Sequence, residues 1–135
     1  MTLRVVAATA VLVSAAVHLY MWFDGTREDD VLGPSFLLNA VGGAVIAVLL
    51  LAWRHWWPPL LAVGFGVSTL AAFVITTIVE VFGVTSTWEG WEVWTSAAAE
   101  VVAVVAGVVL LLADNPLRSR RQSQHHTAVG RPHLH

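Results

Sequence analysis

Four polar side chains that could do chemistry lie inside four otherwise apolar stretches of the sequence: His18, Asn39, Glu80 and Glu100. An imidazole, an amide and two carboxylates can share a proton or bind a cation, and they match the ligand types that zinc, manganese or iron accept. Burying an ionisable group near the centre of a membrane helix costs roughly 2.5–3.5 kcal/mol, so such residues mark a functional site unless they serve as polar contacts between helices. We therefore take these four residues as the candidate intramembrane polar site, with His18, Glu80 and Glu100 as its candidate metal ligands.

The four residues are expected to share one depth in the membrane. Counting a rise of 1.5 Å per residue from the middle of each apolar stretch places all of them about 6–13 Å to the same side of the midplane. No two of them lie on one helix at a spacing of three or four residues, so only the packing of the helices can bring them together. Structural polar packing is the competing interpretation, in which His18 is an ordinary core histidine.

The elements that must position these residues are four apolar runs, near residues 3–23, 36–53, 60–82 and 95–113. Each is close to the ~20 residues that a helix needs to cross a bilayer. The composition agrees, because 57% of the 135 residues are hydrophobic and only 12% are charged. We predict an all-α fold, a polytopic membrane protein whose residues 1–114 form an antiparallel four-helix transmembrane bundle.

Each predicted helix carries its polar residue on a stripe of small or weakly polar side chains, where membrane helices approach closely. The stripes comprise Ala7, Val11, Ser14, His18 and Met21; Asn39, Gly42, Gly43 and Ile46; Gly66, Thr69, Phe73, Thr76 and Glu80; and Ser96, Glu100, Ala103 and Gly107. The stripes predict that the four polar residues face the interior of the bundle. The similar intervals from His18 to Asn39 and from Glu80 to Glu100 also suggest two tandem helical hairpins.

The arginines predict the orientation, since the chain has no lysine. Six of the seven arginines fall at the very start of the first run, after the second or after the fourth, and only Arg27 lies on the other side. Both termini are therefore expected in the cytoplasm, and both long external loops are acidic. A competing interpretation takes the segment up to Ser14-Ala15-Ala16 as a cleaved secretory signal. Apolar character continues to Phe23, which favours a membrane span.

Residues 115–135 are predicted to form a disordered cytoplasmic tail rich in arginine and histidine. Arg118, Arg120 and Arg121 are placed to contact anionic lipid. The tail also holds four candidate metal ligands, although a solvated terminus that happens to be rich in histidine is the simpler interpretation. These are His125, His126, His133 and His135.

Several kinds of chemistry find no support in the sequence. The chain has no cysteine, which removes disulfides and thiolate sites, and the lack of lysine removes Schiff-base chemistry. No metalloprotease, phosphate-loop or nucleophile-elbow motif occurs, and nothing resembles nucleic-acid recognition. A haem is disfavoured because His18 has no second intramembrane histidine as an axial partner; His55 is expected at the opposite interface. The sequence otherwise leaves the cofactor unknown.

Three segments resemble small four-span integral membrane proteins of high-GC Gram-positive bacteria, a group with no assigned activity: His18-Leu-Tyr-Met-Trp22, Gly33-Pro-Ser-Phe-Leu-Leu-Asn39 and Trp88-Glu-Gly-Trp91. The resemblance implies the four-span topology in a bacterial inner membrane and implies nothing about chemistry.

Size and composition favour a non-catalytic accessory or binding component of the plasma membrane. Four spans leave little room to enclose a substrate, so a homo-oligomer or a larger membrane complex is expected. The alternative is a small transporter or a metal- or ion-handling protein that uses the outward-facing layer of His18, Asn39, Glu80 and Glu100.

Overall fold

Four long α-helices form the fold of this chain. The computed structural model describes residues 2–113 and Gln124, and within these residues it contains no β-strand. The helices are α1 (Thr2–Phe23), α2 (Leu32–Ala52), α3 (Trp57–Ile78) and α4 (Trp91–Ala113), with a short 3-10 helix at Thr26–Glu28. Each is long and apolar enough to cross a membrane, which confirms the predicted all-α, four-helix membrane fold. The lipid-contact arginines and the candidate metal-binding histidines predicted after residue 115 lie outside the described residues.

Helices in contact run antiparallel to one another. Near the start of α1, the guanidinium of Arg4 donates a hydrogen bond to the carbonyl oxygen of Leu50 near the end of α2, at 3.2 Å. Near the other end of α1, the rings of Tyr20 and Trp91 lie 5.5 Å apart, so α1 meets the beginning of α4 there. The order of the helices across the molecule is α2, α1, α4, α3, because the extensive contacts join α1 to α2, α1 to α4 and α3 to α4.

The core between these helices is built mainly from small side chains. Its buried members include Ala7, Val11, Ala62 and Ala103. Three helical glycines allow the closest approaches: Gly43 to α1, Gly66 to α4 and Gly107 to α3, where an added Cβ would lie only 2.6–2.8 Å from the nearest side-chain atom. Close backbone approach through small residues is how membrane helices associate where water gives no hydrophobic drive.

The guanidinium of Arg4 closes one end of the bundle. Besides Leu50, it donates to the carbonyl oxygens of Trp53 at 3.1 Å and His55 at 3.0 Å. The last turn of a helix leaves carbonyl oxygens without partners, and a cation there also complements the helix dipole. Arg4, only 5% exposed, therefore caps α2 from a neighbouring helix.

The structure starts α2 earlier than the predicted residue 36, at Leu32. Asp29 explains the start, because its carboxylate Oδ1 accepts hydrogen bonds from the backbone N–H groups of Val31 and Leu32, both at 2.8 Å. These bonds favour the ionised carboxylate and hold the pKa of Asp29 below its usual range. Hydropathy alone misses this turn because capping depends on a polar residue outside the apolar run.

The structure ends α3 at Ile78, whereas the apolar run predicted a span continuing to residue 82. The chain reverses at Phe82 and Gly83, which both have positive φ angles, of 52° and 80°. Val81 and Val84 pair on either side of this turn. Positive φ at both central positions is the signature of a tight hairpin turn. The run stays apolar through the turn, so its composition could not mark the end of the helix.

Candidate functional site

A cleft of about 920 Å³ lies in the gap between α2 and α3. These two peripheral helices contact each other only slightly, whereas α1 and α4 close the space behind them. Phe36, Ile46, Phe65 and Phe73 make its walls largely apolar. His18 on α1 and Glu100 on α4 form part of its floor. The cleft therefore joins an apolar volume to a small group of buried polar side chains.

Glu100 is the most enclosed of these polar side chains, with 3% of its surface exposed. Its Oε1 accepts hydrogen bonds from the hydroxyl of Ser14 at 3.0 Å and from that of Ser96 at 2.8 Å. Ser96 stands one helical turn before Glu100 on α4, and Ser14 reaches it from α1. No hydrogen bond from a described residue reaches Oε2. Two hydroxyl donors thus hold one oxygen of the carboxylate and leave the other available.

His18 adjoins the same serine. Its Nδ1 lies 2.8 Å from the carbonyl oxygen of Ser14 and 3.5 Å from the Ser14 hydroxyl. A carbonyl oxygen only accepts hydrogen bonds, so the short contact places a ring proton on Nδ1. The ring is 6% exposed and meets the ring of Phe36 edge to face at 5.0 Å. Within the described part of the chain nothing hydrogen-bonds to Nε2, which in the neutral imidazole is an acceptor.

Asn39 bridges the two walls of the cleft. Its amide Nδ2 donates to the hydroxyl of Thr69 on α3 at 3.2 Å, and that hydroxyl donates in turn to the carbonyl oxygen of Phe65 at 2.8 Å. The other amide atom, Oδ1, is buried and has no hydrogen-bond partner among the described residues. Leaving a buried acceptor unsatisfied costs about 1–3 kcal/mol. Because Asn39 lines the cleft, a rotation of its amide would let a ligand satisfy Oδ1.

Two glycines keep the cleft open. Gly42 on α2 and Gly64 on α3 both line it, and a Cβ added at either would meet no atom within 4 Å. Their neighbours along the chain behave differently, because Gly43 packs against α1 and Gly66 packs against α4. Each of α2 and α3 therefore has one closely packed glycine, Gly43 or Gly66, and one glycine that faces the cleft, Gly42 or Gly64.

The structure brings three of the four predicted site residues to one cleft and leaves the fourth outside. His18, Asn39 and Glu100 line the cleft, and Ser14 connects His18 to Glu100. Glu80 lies beyond the end of α3, in the exposed segment between Ile78 and the Val81–Val84 turn. Its predicted depth assumed that the third helix continues to residue 82. Because α3 stops earlier, the predicted His18, Glu80 and Glu100 ligand set is not assembled, and no group of three His, Asp or Glu suited to a metal occurs among the described residues.

Two components of this site were not predicted from the sequence. The cleft itself arises from the unequal packing of α2 and α3, which a pattern of apolar residues does not reveal. The hydroxyl partners of Glu100 were only partly visible: Ser14 and Ser96 lie on the predicted stripes, and Ser96 precedes Glu100 by one turn. The adjacent glycines Gly42 and Gly43 were the available signal, because neighbouring residues of a helix point in different directions: Gly43 faces α1 and Gly42 faces the cleft.

No protein-family model, curated protein or solved structure matches this chain. The chemistry of the site therefore rests on its own geometry.

Proposed function

We propose that this protein is a non-catalytic binding component of a membrane, which holds a lipophilic small molecule in the cleft between α2 and α3. The observation that carries the proposal is the cleft itself. Its volume of about 920 Å³ falls within the ~300–1,000 Å³ of small-molecule sites. An apolar volume with a few convergent polar groups is the usual composition of such sites, and His18, Asn39 and Glu100 supply those groups here.

The position of the cleft supports entry from the bilayer. Its walls belong to the two peripheral helices, whose outer residues Leu38 and Leu61 also line the cleft and are exposed. In a membrane these exposed apolar residues face acyl chains. A lipophilic molecule could therefore enter sideways between α2 and α3 without crossing water.

The hydrogen bonds around Ser14 favour binding over nucleophilic catalysis. An activated serine donates its proton to an imidazole that acts as a base. Here the Ser14 hydroxyl donates to Glu100, while Nδ1 of His18, the ring nitrogen nearest to that hydroxyl, already donates to the Ser14 carbonyl oxygen. The arrangement orients the two ionisable side chains and does not activate the hydroxyl.

The proposal includes a location and an assembly. The resemblance to small bacterial membrane proteins favours the plasma membrane of a bacterium. The arginine distribution favours both termini in the cytoplasm, so the acidic loops and the neighbouring end of the cleft face outward. The small size favours work beside further copies of the chain or a larger membrane complex. A transporter or metal-handling role remains the alternative; the position of Glu80 gives a metal site no added support.

Photolabelling tests the proposal. The probe is a dodecanol with a diazirine next to the hydroxyl group, added to membranes that contain the protein. We expect labelling of Ala97 or Glu100, since both line the cleft and Glu100 is shielded from the bilayer. Gly64→Leu, which projects a side chain into the cleft, should reduce this label. The control Val67→Leu changes an exposed residue of the same helix outside the cleft and should retain it. Equal labelling of both variants would refute the site.

A further inference from the structure

We infer that the ligand of this cleft is an amphiphile with a protonated amine head group. The inference rests on the proposed function and specifies the chemistry of the molecule bound. It follows from three features of the lining: the surplus of hydrogen-bond acceptors, the sign of the charges and the aromatic rings around them.

Acceptors without partners predominate at the polar part of the cleft. Oε2 of Glu100 and Nε2 of the neutral His18 receive no hydrogen bond from a described residue, and both residues line the cleft. The hydroxyls of Ser14, Ser96 and Thr69 already donate within the protein. A molecule that satisfies these atoms must bring donors, and an ammonium group brings three.

The charges that line the cleft are of one sign. Glu100 lies on its floor and Glu89 lines it from the loop before α4. No arginine is among the described residues that line the cleft, and the sequence contains no lysine. A carboxylate out of water is costly unless a cation accompanies it. The serine hydroxyls satisfy Oε1 of an ionised carboxylate, and a cationic head group would supply the opposite charge at Oε2.

Aromatic rings complete a surface suited to an ammonium group. Phe36, Phe65 and Phe73 line the cleft, and the face of an aromatic ring attracts cations that come within about 6 Å. The same rings contact the alkyl chain of an amphiphile. An anionic amphiphile such as a fatty acid would instead meet both carboxylates with no cation to offset the repulsion.

The loop residues favour the same sign of charge. Asp24, Asp29 and Asp30 lie between α1 and α2, and Glu89 lies between α3 and α4, at the end of the bundle where the cleft meets the loops. An acidic surface raises the local concentration of cations. A cationic amphiphile would therefore be concentrated at the end of the cleft that Glu89 lines.

The test compares three probes of equal chain length that differ only in the head group: dodecylamine, dodecanol and dodecanoic acid. The full-length protein in lipid nanodiscs is titrated with each probe at pH 7, and binding is followed by the rise of the melting temperature, read from tryptophan fluorescence. We expect dodecylamine to bind at least tenfold more tightly than dodecanol, and dodecanoic acid to bind most weakly. Glu100→Gln should lower the affinity for dodecylamine at least tenfold and leave that for dodecanol unchanged.

Two controls make the result specific. Glu80→Gln removes an equivalent charge from an exposed segment outside the cleft and should leave all three affinities unchanged. Gly64→Leu narrows the cleft and should weaken the binding of every probe. If Glu100→Gln fails to fold, the relative affinities of the three probes for the unaltered protein still test whether the cleft prefers an amine.

Each outcome decides a different point. If dodecanol or dodecanoic acid binds as tightly as dodecylamine, and Gly64→Leu blocks the binding, the amine inference is wrong while the proposed lipophilic site stands. Unchanged dodecylamine binding in a folded Glu100→Gln variant also overturns the inference. Failure of all three probes to bind overturns the inference and the proposed function together.

Discussion

Ser14 is the residue that organises the polar end of the cleft. Its hydroxyl donates to Glu100 on α4, and its carbonyl oxygen accepts from His18 one turn later on α1. One side chain and one backbone group of the same residue therefore orient both buried ionisable side chains. This arrangement leaves Oε2 of Glu100 and Nε2 of His18 without a hydrogen bond from a described residue, which supports the proposal that the cluster binds a ligand.

At the residue scale, the structure predicts that Arg4 contributes to stability through the carbonyl oxygens of α2. Arg4→Met keeps a long apolar side chain but leaves carbonyl oxygens of Leu50, Trp53 and His55 without this donor. We expect the free energy of unfolding to fall by about 2–3 kcal/mol. Arg4→Lys retains a charge and donors, although it lacks the planar fork, and should lose less. Thermal unfolding in detergent measures both; equal stability of Arg4→Met and the parent would contradict the role.

Asp29 gives a pH-dependent prediction. Because its pKa is lowered by the hydrogen bonds from Val31 and Leu32, the ionised carboxylate stabilises the start of α2. That contribution is complete above the ordinary pKa of an aspartate, and it is lost as the pH falls through the lowered pKa of the folded state. Amide hydrogen exchange at Val31 and Leu32 should accelerate in Asp29→Ala at neutral pH. Asp30→Ala, one residue later, is the control, and equal acceleration in it would show that Asp29 is not the cap.

At the scale of the elements, the four helices could be predicted from the sequence. Which pairs of helices pack closely, and which pair leaves a cleft, could not. Long apolar runs determine that helices form, and the stripe through Ser96, Glu100 and Gly107 faces the interior, where all three residues are buried. The prediction that Glu80 lies on the third helix was wrong, because the apolar run continues beyond the end of α3 at Ile78. The gap between α2 and α3 depends on which helices approach each other, and that depends on small differences in packing rather than on hydropathy.

The glycines of α3 allow a test of which helix surface is closely packed and which lines the open cleft. Gly66→Leu would place a side chain against Val104 and the backbone of Glu100, and overpacking of this kind costs about 1–3 kcal/mol. Gly64→Leu meets no atom within 4 Å at its Cβ and replaces a flexible residue, so its stability should equal the parent's or exceed it by up to ~1 kcal/mol. The melting temperature of Gly66→Leu should therefore fall, whereas that of Gly64→Leu should equal the parent's or rise. A fall of equal size in both would show that the cleft is closed in the folded protein.

At the scale of the whole molecule, the fold is two helical hairpins joined through their inner helices. α1 and α2 form one hairpin, α3 and α4 form the other, and α1 meets α4 at the centre. If the hairpins are related by a tandem duplication, the α1–α4 interface and the gap between α2 and α3 occupy equivalent positions. One is closed around Ser14 and Glu100, and the other is open. The duplication is a prediction from the sequence, whereas the inequality of the two interfaces is a property of the structure.

The orientation of this assembly can be measured without background because the chain has no cysteine. Asp30→Cys introduces a thiol in the acidic segment before α2, and Arg54→Cys introduces one in the short connection between α2 and α3. A membrane-impermeant maleimide should label the first in intact cells and the second only after lysis. The reverse pattern would place the acidic loops and the adjacent end of the cleft in the cytoplasm.

The most direct test of the central claim, a lipophilic molecule bound between α2 and α3, is native mass spectrometry of the protein released from its own membrane. We predict that the parent and the control Val41→Leu, which alters an exposed residue of α2 outside the cleft, carry the same bound small molecule. The variant with both Gly42→Leu and Gly64→Leu should fold and lack it. The same adduct at the same occupancy on all three proteins, or none on the parent, would contradict the account.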